Sequence, residues 1–279
     1  MQAIKNSMIK LKEYIEKENF IGYDPYDTLL SPFPFSKLGK WLPILAIQFQ
    51  KRNPINIRPL LCIKKNYNPK AMGLFLQAYS ILYQKNPKPG YKEKMEFLFN
   101  WLKKNYSSGY RGYCWGYNFP WASPVKYLKP NVPSAVVTGF IIRGIYEYFK
   151  INKDENVAQV IESAANFILN DLPISKDKNG ICISYTPSEQ DYCYNASLLG
   201  AEVLARSYTI NKQEKLKENV VQAVNWVIYH QKESGKWNYS INPETGKERE
   251  QVDFHQGYIL ESIFCRWQRL ISFFNFFQL

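Results

Sequence analysis

Residues 252–262 read VDFHQGYILES and contain His255, one of two histidines among 279 residues. Asp253 lies two positions before it. A scarce imidazole beside a carboxylate, at the start of an apolar helix, has three chemistries open to it. It can bind a metal, act as a catalytic acid or base, or serve a hydrogen-bonded helix cap.

Three other short stretches gather polar and aromatic groups in the same way. GYDPYD supplies Tyr23, Asp24, Tyr26 and Asp27, and CWGYNFPW supplies Trp115, Tyr117, Asn118 and Trp121. SEQDYCYNAS supplies Asp191, Cys193, Tyr194 and Asn195, while VDFHQGY adds Tyr258. General acid–base work on a glycan needs a proton donor and a proton acceptor flanking the bond. Trp and Tyr present apolar faces to pyranose rings and polar edges to hydroxyls. On this reading His255 and Asp27 carry proton transfer, with Asp24, Asp191 and Asp253 as further carboxylates. Tyr23, Tyr26, Trp115, Tyr117, Asn118, Tyr194, Asn195 and Tyr258 would hold sugar. The local reading of the same aspartates is turn and cap chemistry: Asp24-Pro25 starts a turn and Asp253 caps a helix.

Asp191 and Cys193 also form a D-x-C pair, with His255 62 residues after the cysteine. A carboxylate, a thiolate and an imidazole with a fourth position open suit catalytic zinc. This arrangement resembles the zinc site of protein prenyltransferase β subunits, which are α/α toroids with D-x-C before one inner helix and His before the next. The resemblance implies Asp191, Cys193 and His255 as zinc ligands and an isoprenoid-processing activity.

What must position these groups is a repeat. GLFLQA from Gly73, GFIIRG from Gly139, GAEVLA from Gly200 and GYILES from Gly257 share a glycine, mostly apolar positions and a small residue. The glycines are 66, 61 and 57 residues apart, a period typical of stacked supersecondary units. The segments sit in helices apolar nearly all round, clearest in PSAVVTGFIIRGIYEYF and YNASLLGAEVLARSY, so these helices are expected to be buried. Their small residues let neighbouring backbones approach.

Amphipathic helices alternate with them. Val157, Val160, Ile161, Ala164 and Ile168 follow helical spacing, as do Leu216, Val220, Val224, Val227 and Ile228, and Met95, Leu98, Trp101 and Leu102. Each is followed by a glycine-aromatic loop: GYRGYCWGYNF, KNGICISYTP or SGKWNYSINPETG. Amphipathic helix, loop and buried helix, repeated in a circle, make an all-α fold: an α/α toroid with inner and outer helix rings. Five inner helices are expected, starting near Leu38, Lys70, Pro133, Tyr194 and Phe254. A six-hairpin ring needs one more pair, so the ring is expected to be incomplete at the C-terminus or closed differently. No domain boundary is evident, and the whole chain reads as one domain. The loops preceding the inner helices would surround one mouth of a central cavity, with Trp115 lining it and Trp237 clamping adjacent repeats.

Composition sets the remaining bounds. The formal charge is +12, from 36 Lys and Arg against 24 Asp and Glu. This excess suits an anionic partner such as a uronic-acid or sulfated polysaccharide. The lysines are scattered among glutamates with no Lys/Arg-rich run, so nothing supports nucleic-acid binding. Five widely spread cysteines give no disulfide framework. No apolar stretch reaches the length of a membrane span, and the N-terminus has no apolar signal core. A cytoplasmic location is the expectation. His230, ending an amphipathic helix, complements the helix dipole.

GYDPYDTLLSP, YCWGYNFPW, PSAVVTGFI, ICISYTP, YNASLLGAEVLA and FHQGYILES resemble signatures of uncharacterised microbial α/α-toroid proteins that accompany polysaccharide genes. The resemblance covers most of the chain up to about Glu261. It implies a toroid with a glycan-related role. A lyase, hydrolase or epimerase without a cofactor is the leading reading, a zinc-dependent prenyltransferase-like enzyme the second, and a non-catalytic glycan-binding module the third.

Overall fold

The structure, a computed structural model, describes residues 2–37, 39–123, 127–251 and 253–270, with backbone alone at 36 and 265–270. The expected helix start at Leu38 and the SFFNFFQL tail lie outside the described residues. The chain packs as two compact units: Met1–Met72 with Tyr117–Val132, and Gly73–Gly116 with Pro133–Leu279. No linker marks the division in the sequence. The chain changes unit three times: inside a helix after Met72, inside an aromatic loop after Gly116, and again after Val132.

The first unit contains α1 (Gln2–Lys17), α2 (Trp41–Arg52), and a short antiparallel pair, β1 (Trp121–Ala122) with β2 (Tyr127–Leu128). Asp27–Leu30 and Phe35–Lys37 form 3-10 turns. α2 buries Pro43, Ile47 and Gln50 and exposes Trp41, Leu45 and Phe49, so it is enclosed on one side only.

The second unit carries the hairpins. Its helices are α3 (Pro69–Lys85, apart from the first turn), α4 (Pro89–Lys104), α5 (Ala135–Asn152) and α6 (Glu155–Asn170). After three short strands follow α7 (Tyr194–Asn211) and α8 (Glu214–Tyr229), and two more strands precede α9 (His255–Leu270). α5 is buried from Ala135 to Ile145 and α7 from Tyr194 to Ser207, as their all-round apolarity requires. α3 and α9 differ: Leu74 and Ile81, and Leu260 and Phe264, are exposed. The amphipathic stripes of α4, α6 and α8 face inward, with one exception. Ile228 is exposed because it sits about 120° from Leu216, at the edge of the stripe.

The hairpin turns repeat. α5 ends at Lys153 and α7 at Lys212, both left-handed, with φ of 53° and 55°. Each donates its N–H to a carbonyl four residues back, which closes the helix end. The small residues allow the expected close approach. A Cβ on Gly144 of α5 would lie 2.1 Å from the Gly73 carbonyl oxygen of α3. Gly257 has nothing within 4 Å and plays no such part.

Two loops expected to be irregular contain strands. β3 (Ile174–Asp177) and β4 (Gly180–Ile183) form a hairpin closed by the two-residue turn Lys178-Asn179. β5 (Tyr192–Cys193), β6 (Ser240–Ile241) and β7 (Glu248–Arg249) form a three-stranded sheet in that order. This sheet joins the segment before α7 to the segment before α9, through Tyr192 opposite Ile241 and Cys193 opposite Ser240. Among the described residues no helix is long and apolar enough to cross a membrane.

Candidate functional site

In the second unit, each loop is tied to the helix it precedes by an equivalent bond. Trp115 N–H donates to Thr138 Oγ1 of α5 at 3.1 Å, and Ile183 N–H to Ser197 Oγ of α7 at 3.0 Å. Trp237 N–H donates to Gln256 Oε1 of α9 at 3.0 Å. Two indoles clamp the preceding outer helices in the same way. Trp115 Nε1 donates to the Leu102 carbonyl at the end of α4, and Trp237 Nε1 to the Val227 carbonyl at the end of α8, at 3.0 and 2.7 Å. Trp115 is fully buried. It is therefore a clamp like Trp237, and the expectation that it lines a mouth is corrected.

The start of α9 combines cap and dyad. Asp253 Oδ1 accepts the His255 N–H at 2.9 Å, as an N-cap does, and the same oxygen pairs with His255 Nδ1. Gln251 donates to the other carboxylate oxygen. Burial works to raise the Asp253 pKa, but the bonds from Gln251 and His255 outweigh it and hold the carboxyl below its ordinary value. Nδ1 is committed to the carboxylate, so Nε2 is the ring atom left for chemistry. Aromatic rings surround the imidazole: Phe254 stacked at 4.7 Å, Tyr239 edge-on at 4.8 Å and Tyr258 edge-on at 6.1 Å. Tyr185, Tyr239 and Tyr258 are half-buried over Val136, Phe140, Cys193, Ala196 and Leu199, at the first turns of α5 and α7.

The zinc reading does not survive this geometry. Asp191 turns back to accept the Tyr185 N–H at 2.9 Å. The Cys193 thiol is buried and donates to Asn195 Oδ1 at 3.1 Å. His255 pairs with Asp253 instead. Among the described residues no three His, Cys, Asp or Glu side chains gather into a group able to hold a metal ion. Tyr194 and Asn195 are both buried, so they pack the interior and are not presented to a sugar as expected. His230 ends α8, its Nδ1 2.7 Å from the Trp226 carbonyl and its ring 4.2 Å from that indole. It is a packed cap.

The first unit holds the other candidates. Asp27 is buried and receives Arg58 Nε at 2.8 and 3.1 Å through its two oxygens. Arg58 also donates to the Asp24 carbonyl at 2.8 Å and lies over the Tyr23 ring at 5.1 Å. Asp27 is thus the anchor of this loop. Asp24 accepts the Tyr26 N–H at 2.9 Å, the turn role expected of it, and Asn68 Nδ2 at 2.8 Å. Burial raises the Asp24 pKa, and the neighbouring Asp27 charge adds to this; the Tyr26 N–H, Lys70 and Arg58 pull the other way. Tyr26 receives Lys51 Nζ on its hydroxyl at 2.7 Å. Tyr117 stacks on Phe119 at 5.1 Å, and Asn118 donates to the Tyr67 carbonyl at 2.7 Å. The candidates therefore fall into two clusters, one in each unit.

Sequence reasoning missed Arg58, and it missed an ionic chain in the second unit in which buried Arg143, Glu202 and Arg206 lead to the exposed Glu261. The signal was present: charges standing in the middle of apolar helices, as in GFIIRG and GAEVLAR. Such charges are retained in an interior only when partnered.

No protein-family model matches the chain, and no curated protein is similar to it in sequence. Solved structures are similar to it in fold. A family 76 glycoside hydrolase from a bovine Bacteroides thetaiotaomicron strain superposes with a TM-score of 0.50 at 14% identity, over 72% of this chain and 44% of that one. This chain thus spans less than half the length of that enzyme. An inactive variant of the α-1,6-mannanase GH76A of Salegentibacter sp. HEL1_6, in complex with α-1,6-mannotetrose, gives 0.48 at 12% identity, over 85% and 67%. The mannanase itself gives 0.43 at 11%, over 90% and 79%. The first likeness assigns the fold class, an all-α α/α toroid.

Proposed function

We propose that this chain is a carbohydrate-active toroid protein of polysaccharide metabolism that binds a glycan at the start of α9. The observation that carries the reading is the Asp253–His255 pair set among the rings of Tyr239, Phe254 and Tyr258. A carboxylate that fixes the tautomer of an imidazole leaves Nε2 free to give or take a proton. The flanking rings supply the stacking surface that a pyranose requires. Hydrolysis is the first reaction to test, because the solved structure similar in fold at a TM-score of 0.50 is a glycoside hydrolase. The excess positive charge favours an acidic glycan. A cytoplasmic location is part of this proposal.

Binding and release of reducing ends should be measured on a panel of neutral, amino-sugar and uronic-acid oligosaccharides, at low and high salt. Saturable binding lost in His255→Ala supports the reading. Binding indifferent to that substitution argues against this site. Indifference to glycan charge and to salt argues against an acidic substrate.

A non-catalytic glycan-binding module is the second reading. It is favoured by the state of Asp27, whose carboxylate is enclosed with Arg58 and is not offered to a reacting bond. Affinity without turnover, surviving Asp27→Ala, would select it.

A further inference from the structure

The positive charge is divided unevenly between the two units. The first, Met1–Met72 with Tyr117–Val132, holds 14 Lys and Arg against 5 Asp and Glu, a net +9. The second has more than twice as many residues and holds 22 against 19, a net +3. The first unit also carries 12 of the 22 large apolar side chains that are exposed among the described residues. Cationic and apolar groups offered together call for a partner that is both anionic and apolar.

α1 shows how the two kinds of group are arranged. At about 100° per residue, Ile4, Met8, Leu11 and Ile15 form one continuous apolar stripe. Lys5 and Lys12 stand along one edge of it, and Tyr14 along the other with Lys10 and Lys17 beyond; Glu13 is opposite. The stripe is open to solvent. α1 buries no residue, and Ile4, Met8 and Leu11 are 75%, 48% and 58% exposed. A helix of 16 residues is marginal in water by itself and takes its stability from what its apolar face covers. α2 repeats the pattern in the same unit. Trp41, Leu45 and Phe49, one turn apart, are exposed, with exposed Lys40 before them and exposed Lys51 and Arg52 after.

We infer that α1 is the element by which the first unit docks on an anionic lipid surface, its apolar stripe among the upper acyl chains and its lysines on the headgroup phosphates. The inference is independent of the glycan reading. Lipid is the occupant that satisfies both features of the helix. A soluble acidic polymer would pair the lysines and leave the stripe in water. A second copy of the chain would bring two units of like charge together. An anionic bilayer supplies hydrocarbon under the stripe and negative charge at the level that flanking lysines reach. Among the described residues no helix is long and apolar enough to cross a bilayer, so α1 lies on the surface.

The test is co-sedimentation of the full chain with vesicles of phosphatidylcholine alone and of phosphatidylcholine mixed with phosphatidylglycerol. Wild type should partition onto the anionic vesicles at least about tenfold more strongly than onto the neutral ones, and less as salt is raised. Ile4→Gln/Leu11→Gln keeps charge and helix propensity and removes apolar surface. It should weaken the partitioning about tenfold or more with the melting temperature unchanged, because both side chains are exposed. Lys5→Glu/Lys10→Glu should weaken it by a similar factor, and Ile4→Leu/Leu11→Phe should preserve it. Wild type that stays in solution overturns the inference, as does equal binding to both vesicle types or binding indifferent to Ile4→Gln/Leu11→Gln. Capture by a soluble acidic polysaccharide in place of vesicles also overturns it, and so does a dimer that the same variant dissolves.

Discussion

His255 is joined to Asp253 twice: its backbone N–H reaches Oδ1 at 2.9 Å, and its ring Nδ1 pairs with the same oxygen. Cap and dyad therefore share one carboxylate, and two substitutions separate them. Asparagine is as good an N-cap as aspartate. Asp253→Asn should keep the cap and lose only the charge-dependent part of the Asp253 contribution at neutral pH, while turnover of a glycan substrate falls about 10²-fold or more. Asp253→Ala should also lose about 0.5–2 kcal/mol of stability. Equal thermal stability in the two variants would show that the cap contributes nothing.

The two indole clamps make an equivalent pair. Trp115→Phe and Trp237→Phe each leave a helix-end carbonyl, of Leu102 or Val227, without its donor. Each should cost about 1–3 kcal/mol in urea unfolding. Trp115→Phe should leave glycan affinity unchanged, because the ring is inside; a selective loss of affinity would restore Trp115 to the mouth.

Close approach of α3 and α5 depends on Gly144. Gly144→Ala places a methyl 2.1 Å from the Gly73 carbonyl oxygen and should cost about 1–3 kcal/mol or more. Gly257→Ala meets nothing within 4 Å and should be neutral or stabilise by up to about 1 kcal/mol. Similar melting temperatures for the two variants would contradict the packing described.

In the first unit, Asp27→Ala strands a largely buried Arg58, and a loss of about 3–5 kcal/mol is expected. Calorimetry checks this, and a double variant that also replaces Arg58 should recover part of the loss.

Acid stability should carry two opposing signatures. The Asp253 pKa is lowered, so its contribution is present above the unfolded carboxylate value and is lost as pH falls through the folded one. Asp24 is raised, so its ionisation opposes folding at neutral pH, and acidification relieves that cost. Between pH 7 and pH 3, Asp253→Asn should lose less stability than wild type and Asp24→Asn should lose more. The reverse order would overturn both assignments.

The helices were legible because their signal is periodic and local. The all-round apolarity of α5 and α7, and the stripes of α4, α6 and α8, appear in the structure within a residue or two of their expected places. The β3–β4 hairpin was less legible, because Asn179-Gly180 is displaced by one residue from the Lys178-Asn179 turn. Trp115 could not be placed from its own loop, since a clamp and a mouth residue share composition; only its equivalence to Trp237 distinguishes them. The Arg143–Glu202–Glu261 chain was visible as misplaced charge and invisible as a network. Which charges meet depends on how one helix is set against the next, and no local pattern records that. D-x-C and His share equivalent positions before neighbouring helices, yet Asp191 turns to its own loop and His255 to Asp253. Spacing places backbones, while local hydrogen bonds aim side chains.

The most direct test uses the two imidazoles as internal probes. Histidine-labelled protein would be titrated with the tightest-binding oligosaccharide of the panel while the ring resonances are followed by NMR, with His255→Ala identifying the signals. The account predicts saturable shifts of the His255 ring at the affinity measured independently, with His230, packed on Trp226, unmoved. Saturable binding that leaves His255 unmoved, or moves His230 instead, would place the glycan elsewhere and contradict the account.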